Sequence, residues 1–179
     1  MPQKYIFPAF FILIFAQGCQ TVQPIHTVNY VDLNRFMGEW YVIASIPTFL
    51  EKEVYNGVEA YHLAQDGTVE TTFTFNKGGF NGPKKTFRPR GFIRDTESNA
   101  VWDMQFVWPF KAEYRVIYLK DDYSQTVIGR SKRDYVWIMA RSPSIPKADY
   151  DRILAFLVDQ GYEIQNLKKI PQAAQNHSG

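Results

Sequence analysis

Between Glu39 and Arg141 the chain is built of short segments in which apolar and polar residues alternate, most of them closed by Gly, Pro, Asp or Asn. The sharpest case is Thr68–Asn76: Val69, Thr71, Phe73 and Phe75 fall on one face, and Glu70, Thr72, Thr74 and Asn76 on the other. A period of two is the mark of a strand with one buried face. The same reading predicts strands over Glu39–Ile46, stopped by Pro47, and over Gly57–Ala64, joined to Thr68–Asn76 through the turn pair Asp66-Gly67. Thr48–Asn56 reads as a long first loop. Further strands are predicted over Thr86–Arg94, Ala100–Trp108, Glu113–Lys120, Gln125–Arg130 and Tyr135–Arg141. Pro89 lies inside the first of these and marks it as edge-like or bulged, because proline has no N–H for a ladder. Alternation sets Trp102, Met104, Phe106 and Trp108 on one face of Ala100–Trp108, and Tyr114, Val116 and Tyr118 on one face of Glu113–Lys120. For Gly57–Ala64 the pattern leaves open which set faces inward, Tyr61 and Leu63 or Val58, Ala60 and His62.

Eight short strands at near-regular spacing, with hairpin signals between them, predict an all-β chain: an eight-stranded antiparallel up-and-down barrel. Two helical pieces flank it. Asp32–Gly38 reads as a short turn, capped by Asp32 and ended by Gly38. After Pro146, Tyr150, Ile153, Leu154, Leu157 and Val158 recur at helical spacing until Gly161, which predicts one amphipathic C-terminal helix packed on the outside of the barrel.

Composition narrows the class. A chain of 179 residues is one domain's worth, and its 16% aromatic content suits pleated surfaces. The formal charge of +2, with both signs interleaved, leaves no electrostatic footprint for nucleic acid. Cys19 is the only cysteine, so no internal disulfide can form. It follows Lys4, the apolar run Tyr5–Ala16 and the pair Gln17-Gly18, a sequence that describes a secretory signal peptide too short to span a bilayer as a helix. The predicted layout is therefore a signal peptide over 1–18, a tether over 19–31, the barrel and helix over 32–170, and a flexible tail over 171–179.

Two resemblances rest on particular residues. Gly18-Cys19 at the end of the apolar run resembles the bacterial lipoprotein lipobox, which implies diacylation of the Cys19 sulfur; an ordinary signal peptide with a stray cysteine is the alternative. Gly38-Glu39-Trp40-Tyr41 and Arg133-Asp134-Tyr135, with Arg141 on the last strand, together resemble the signature of the lipocalins. The passages Asn34–Ala44, Phe106–Phe110 and Arg133–Pro143 are most similar to the bacterial outer-membrane branch of that family, relatives of apolipoprotein D. The resemblance implies that Gly38, Trp40, Asp134, Tyr135 and Arg141 are structural positions that do not touch a ligand, with Arg141 packed across Trp40 at the closed end. It also implies a lipoprotein of the bacterial outer membrane facing the periplasm and binding lysophospholipids or fatty acids, with a homodimer as a possible assembly.

The candidate ligand lining is the inward set Phe73, Phe75, Trp102, Met104, Phe106, Tyr114, Val116 and Tyr118, large apolar side chains suited to an acyl chain. The alternative is that these side chains fill the barrel, leaving a structural or stress-related interaction lipoprotein without a ligand. Arg115 and Arg130 stand beside the aromatic strands with their facing undecided. No catalytic constellation is legible: Cys19 lies outside the barrel, and His26, His62 and His177 have no metal-ligand spacing. Glu59, Glu70 and Asp103 read as solvated strand carboxylates. The expectation is a binding protein without enzymatic activity, metal or cofactor. A membrane-spanning barrel, with its apolar face turned outward, is the rival architecture.

Overall fold

The structure, a computed structural model, describes residues 24–48 and 53–173. The signal peptide, Cys19, the start of the tether and residues 174–179 lie outside the described residues, as do residues 49–52 of the first loop. A one-turn helix α1 (Leu33–Phe36) leads into β1 (Gly38–Ile46), followed by β2 (Val54–Leu63), β3 (Val69–Lys77), β4 (Lys84–Phe87), β5 (Arg90–Ile93), β6 (Val101–Val107), β7 (Phe110–Leu119), β8 (Gln125–Gly129) and β9 (Val136–Ala140). Each strand pairs antiparallel with the next element of the meander, and β1 pairs with β9, which closes the barrel. β4 and β5 are one strand interrupted at Pro89. Both pair with β3 in an unbroken register, Phe73 opposite Phe87 and Glu70 opposite Arg90, and the Pro89 carbonyl still accepts from the Thr71 N–H. Only β5 continues to β6, so β4 is an edge, as Pro89 predicts.

The apolar faces point inward and the outer faces carry ion pairs, Arg90 with Glu70 and Arg94 with Asp103. That is the polarity of a barrel whose outside meets water, the reverse of the membrane-spanning alternative. Both faces of β8 and β9 are buried, because helix α2 (Lys147–Asp159) covers the outside there. Ile153 and Leu157 of α2 pack on Ile117, Val127, Val136 and Ile138, while Val158, predicted on the apolar face, is 52% exposed. A second correction falls in β7. Its register with β8 shifts between Val116 and Tyr118, so the alternation slips and Tyr118 lies outside the barrel against Phe156 of α2, at 5.7 Å.

The closed end is an aromatic plug. The Asp32 side chain caps α1 by accepting from the N–H groups of Asn34 and Arg35, which sets Phe36 against Trp40 (5.1 Å) and edge-on to Trp102 (5.6 Å). The Trp40 indole N–H donates to the Phe36 carbonyl at 2.8 Å. The Arg141 guanidinium lies 3.8 Å from the Trp40 ring centre and donates to the carbonyls of Arg35, Phe36, Met37 and Glu39. Gly38 has φ +93, and a Cβ there would stand 3.4 Å from an Arg141 nitrogen, so glycine serves both the turn and the close approach.

After α2 and a 3-10 turn (Ile164–Asn166), the two-residue strand β10 (Lys168–Lys169) pairs with Ala44 and Ser45 of β1. The segment then staples the seam where β1 has left β2. The Asn56 N–H donates to the Pro171 carbonyl, and the Gln172 amide donates to the carbonyls of Val42 (2.8 Å) and Gly57 (3.0 Å). Residues 171–173, read from sequence as tail, are thus part of the fold. Gln172→Ala is expected to remove about 1–2 kcal/mol and lower the melting temperature by a few degrees, measurable by calorimetry.

Candidate functional site

At the end away from the plug, the barrel encloses a cavity of about 440 Å³. Phe73 of β3, Pro89, Met104 of β6, Ala112 and Tyr114 of β7, and Trp137 of β9 line it. Phe106, Val107 and Phe110, at the β6–β7 tip, frame the mouth together with Thr48, Arg130 and Tyr135. The opening lies where β6, still paired with β7 out to Val107, has left β5: the β5 ladder ends at Gln105, and β4 offers it no partner.

Of the eight residues predicted to line a ligand site, the structure brings Phe73, Met104, Phe106 and Tyr114 into the cavity. Phe75 packs between Phe73 (5.1 Å) and Phe87 (6.0 Å). Trp102 stacks on Tyr114 at 5.0 Å within the plug, and Val116 is fully buried in the same core. Tyr118 is outside. Tyr135, expected to stand clear of any ligand site, lies at the mouth, with the Arg130 guanidinium 5.0 Å from its ring centre. Asp134 approaches Arg130 at 3.5 Å. The Arg130 Nε is buried without a hydrogen-bond partner, whereas Arg115 is tied to Glu113 and is no part of the cavity.

Sequence reasoning missed Glu59. It is 9% exposed and borders the cavity. The signal was present, since Tyr61 and Glu59 share a strand face, yet a carboxylate is normally assigned to solvent. Glu59 accepts the Tyr61 hydroxyl, which commits the only Tyr61 proton; the Tyr114 hydroxyl, 2.7 Å from Tyr61, therefore donates to it. Glu59, Tyr61 and Tyr114 form a polar floor between the cavity and the plug. Burial, then the Glu59 charge, pushes both phenols well above their ordinary range. A raised folded-state value leaves stability unaffected below the unfolded phenol pKa of about 10 and removes it as pH rises above that, because only the unfolded state then loses protons. Ultraviolet titration is expected to show Tyr61 and Tyr114 ionising only together with unfolding, and Tyr61→Phe is expected to make that transition shallower.

A closed barrel with a walled, largely apolar cavity is the architecture of proteins that bind small molecules. A lipocalin-like domain matches residues 31–172, and the chain belongs to the lipocalin family. It is 29% identical over 160 residues to temperature-induced lipocalin-1 of Arabidopsis thaliana, covering 83% of each chain. It is 25% identical over 167 residues to the outer membrane lipoprotein Blc of Escherichia coli K12, covering 92% of each. Among solved structures, insecticyanin from the tobacco hornworm Manduca sexta superposes with a TM-score of 0.64 at 14% identity, covering 84% of this chain and 85% of that one. Such a likeness shows the fold.

Proposed function

We propose that this lipocalin is a lipoprotein, anchored through Cys19, that stores or transports membrane-derived lipids such as lysophospholipids and fatty acids at the inner face of the outer membrane. The cavity carries this reading: about 440 Å³ is within the range of ligand pockets, and its walls are apolar apart from a polar floor and a cationic mouth. The same cavity speaks against the reading in which side chains fill the barrel. An acyl chain fits between Phe73, Met104 and Trp137, while the Arg130 guanidinium at the rim offers a phosphate or carboxylate headgroup a charge-assisted contact. The likeness to Blc supports the anchor and the location.

Native mass spectrometry of the chain from Gln20 onward tests the proposal. Co-purified lipid, and quenching of Trp137 fluorescence by added lysophospholipid, are expected. A protein that carries no lipid and takes up none overturns the reading. Arg130→Ala is expected to weaken binding of an anionic lysolipid about tenfold, read by displacement of a fluorescent fatty acid, and to change a neutral ligand's affinity little.

A further inference from the structure

The β6–β7 tip is unusual for a water-facing surface. Val107, Trp108 and Phe110 are 66%, 82% and 76% exposed, consecutive around a two-residue connection, and Phe106 beside them is half-exposed. Phe80, on the β3–β4 loop of the same end, is also exposed. Single exposed apolar residues are ordinary, but a contiguous aromatic cluster marks a binding surface. We propose that the open end of the barrel docks on an anionic lipid bilayer, with Trp108 and Phe110 in the interfacial layer and the surrounding lysines on the headgroups.

Three observations select a bilayer as the occupant. First, charge: Lys77, Lys84, Lys85 and Lys132 are exposed at the open ends of β3, β4 and the β8–β9 loop. The exposed carboxylates there among the described residues are Glu53 and Asp134, and Asp134 faces Arg130. A basic collar around an indole is the arrangement that an anionic interface favours, the amphipathic ring sitting at headgroup depth. Second, continuity: Phe106, Val107 and Phe110 also frame the cavity mouth, so a docked tip sets the mouth at the surface. Third, the path of the chain: the Ile25 N–H meets the Ser131 hydroxyl (3.4 Å) in the β8–β9 loop, and the chain then runs to Val31, bonded to Ser98 near the plug. The N-terminal segment therefore reaches the barrel at the open end. Cys19 is six residues before Ile25, a reach of about 20 Å, so an acyl anchor and the aromatic tip can engage one membrane together. Docking stands on the surface of the open end and does not require a ligand in the cavity.

The test uses the chain from Gln20 onward, which has no acylation site and contains the whole described barrel, its fold checked by circular dichroism. Flotation with vesicles of phosphatidylglycerol and phosphatidylethanolamine is expected to carry the protein, neutral phosphatidylcholine vesicles to carry it weakly, and added salt to release it. Trp108→Ser is expected to reduce the vesicle-bound fraction about tenfold with no fall in melting temperature, since that indole is 82% exposed. Lys84→Glu with Lys132→Glu is expected to abolish the preference for anionic vesicles. Ala112→Trp, which fills the cavity, is expected to float as before; if it does not, docking depends on the lipid site and the proposal fails while the binding function stands. Equal flotation of the wild type and Trp108→Ser overturns it. So does a dimer in sedimentation that Trp108→Ser dissociates while vesicles are ignored, which would make the tip a contact between two copies.

Discussion

Trp40→Ala is expected to lower the melting temperature by about 10–20 °C, equivalent to roughly 4–5 kcal/mol. The indole is fully buried, its N–H is committed to the Phe36 carbonyl, and its faces are covered by Phe36 and Arg141. Truncation leaves a void under an aromatic layer that is held in place by the capped α1 turn and cannot collapse into it. Arg141→Ala alone is expected to remove about 3 kcal/mol, because four backbone carbonyls around the α1–β1 junction lose one shared donor. A thermal or urea double-mutant cycle between the two should return a coupling of about 1–2 kcal/mol, the contribution of a cation over a partly desolvated indole. Lipid affinity should be nearly unchanged in Arg141→Ala, since Arg141 lies outside the cavity lining. Additive effects in the cycle would show that the stacking contributes nothing beyond its parts.

Ala112→Trp carries the largest expected effect on binding: about a hundredfold loss of lysolipid affinity with little change in stability. Ala112 faces inward opposite Met104 and borders the cavity, so an added indole grows into open volume and not into packed core. A ligand chain that loses room for three or four methylenes forfeits about 0.8 kcal/mol for each, and that sum is the predicted loss. Displacement of a fluorescent fatty acid checks the affinity, and calorimetry checks that the fold is intact. Unchanged affinity in a folded variant would place the ligand elsewhere.

Much of this protein was legible because its strands bury one face. Thr68–Asn76 shows its apolar face without ambiguity, and the Asp66-Gly67 turn fixes its hairpin partner: Gly67 has φ +78, and the Asp66 carboxylate accepts from Thr68. Pro89 announced the edge that leaves room for the mouth. Where both faces of a strand are covered, alternation fails: β9 reads Val-Trp-Ile-Met-Ala, and only the packing of α2 separates Val136 and Ile138 outside from Trp137 and Met139 inside. Trp137 was overlooked as a cavity residue for that reason. Glu59 was overlooked because its burial depends on two tyrosine hydroxyls, Tyr61 and Tyr114, the second of them on a strand far away in sequence.

The sequence by itself determined the eight barrel strands, their direction and the outer helix, and through its family resemblance it implied the meeting of Trp40 with Arg141 that seals one end. These are set by local periodicity, by turn residues and by two motifs whose side chains match in shape and charge. The tertiary structure alone decided that Tyr118 faces out, that residues 171–173 staple the β1–β2 seam, that about 440 Å³ inside stays unfilled, and that the aromatic tip and the N-terminal segment share the open end. Each of these depends on how separate segments pair and pack against one another. A one-residue bulge there turns a side chain to the other face, and no window of a few residues contains that information.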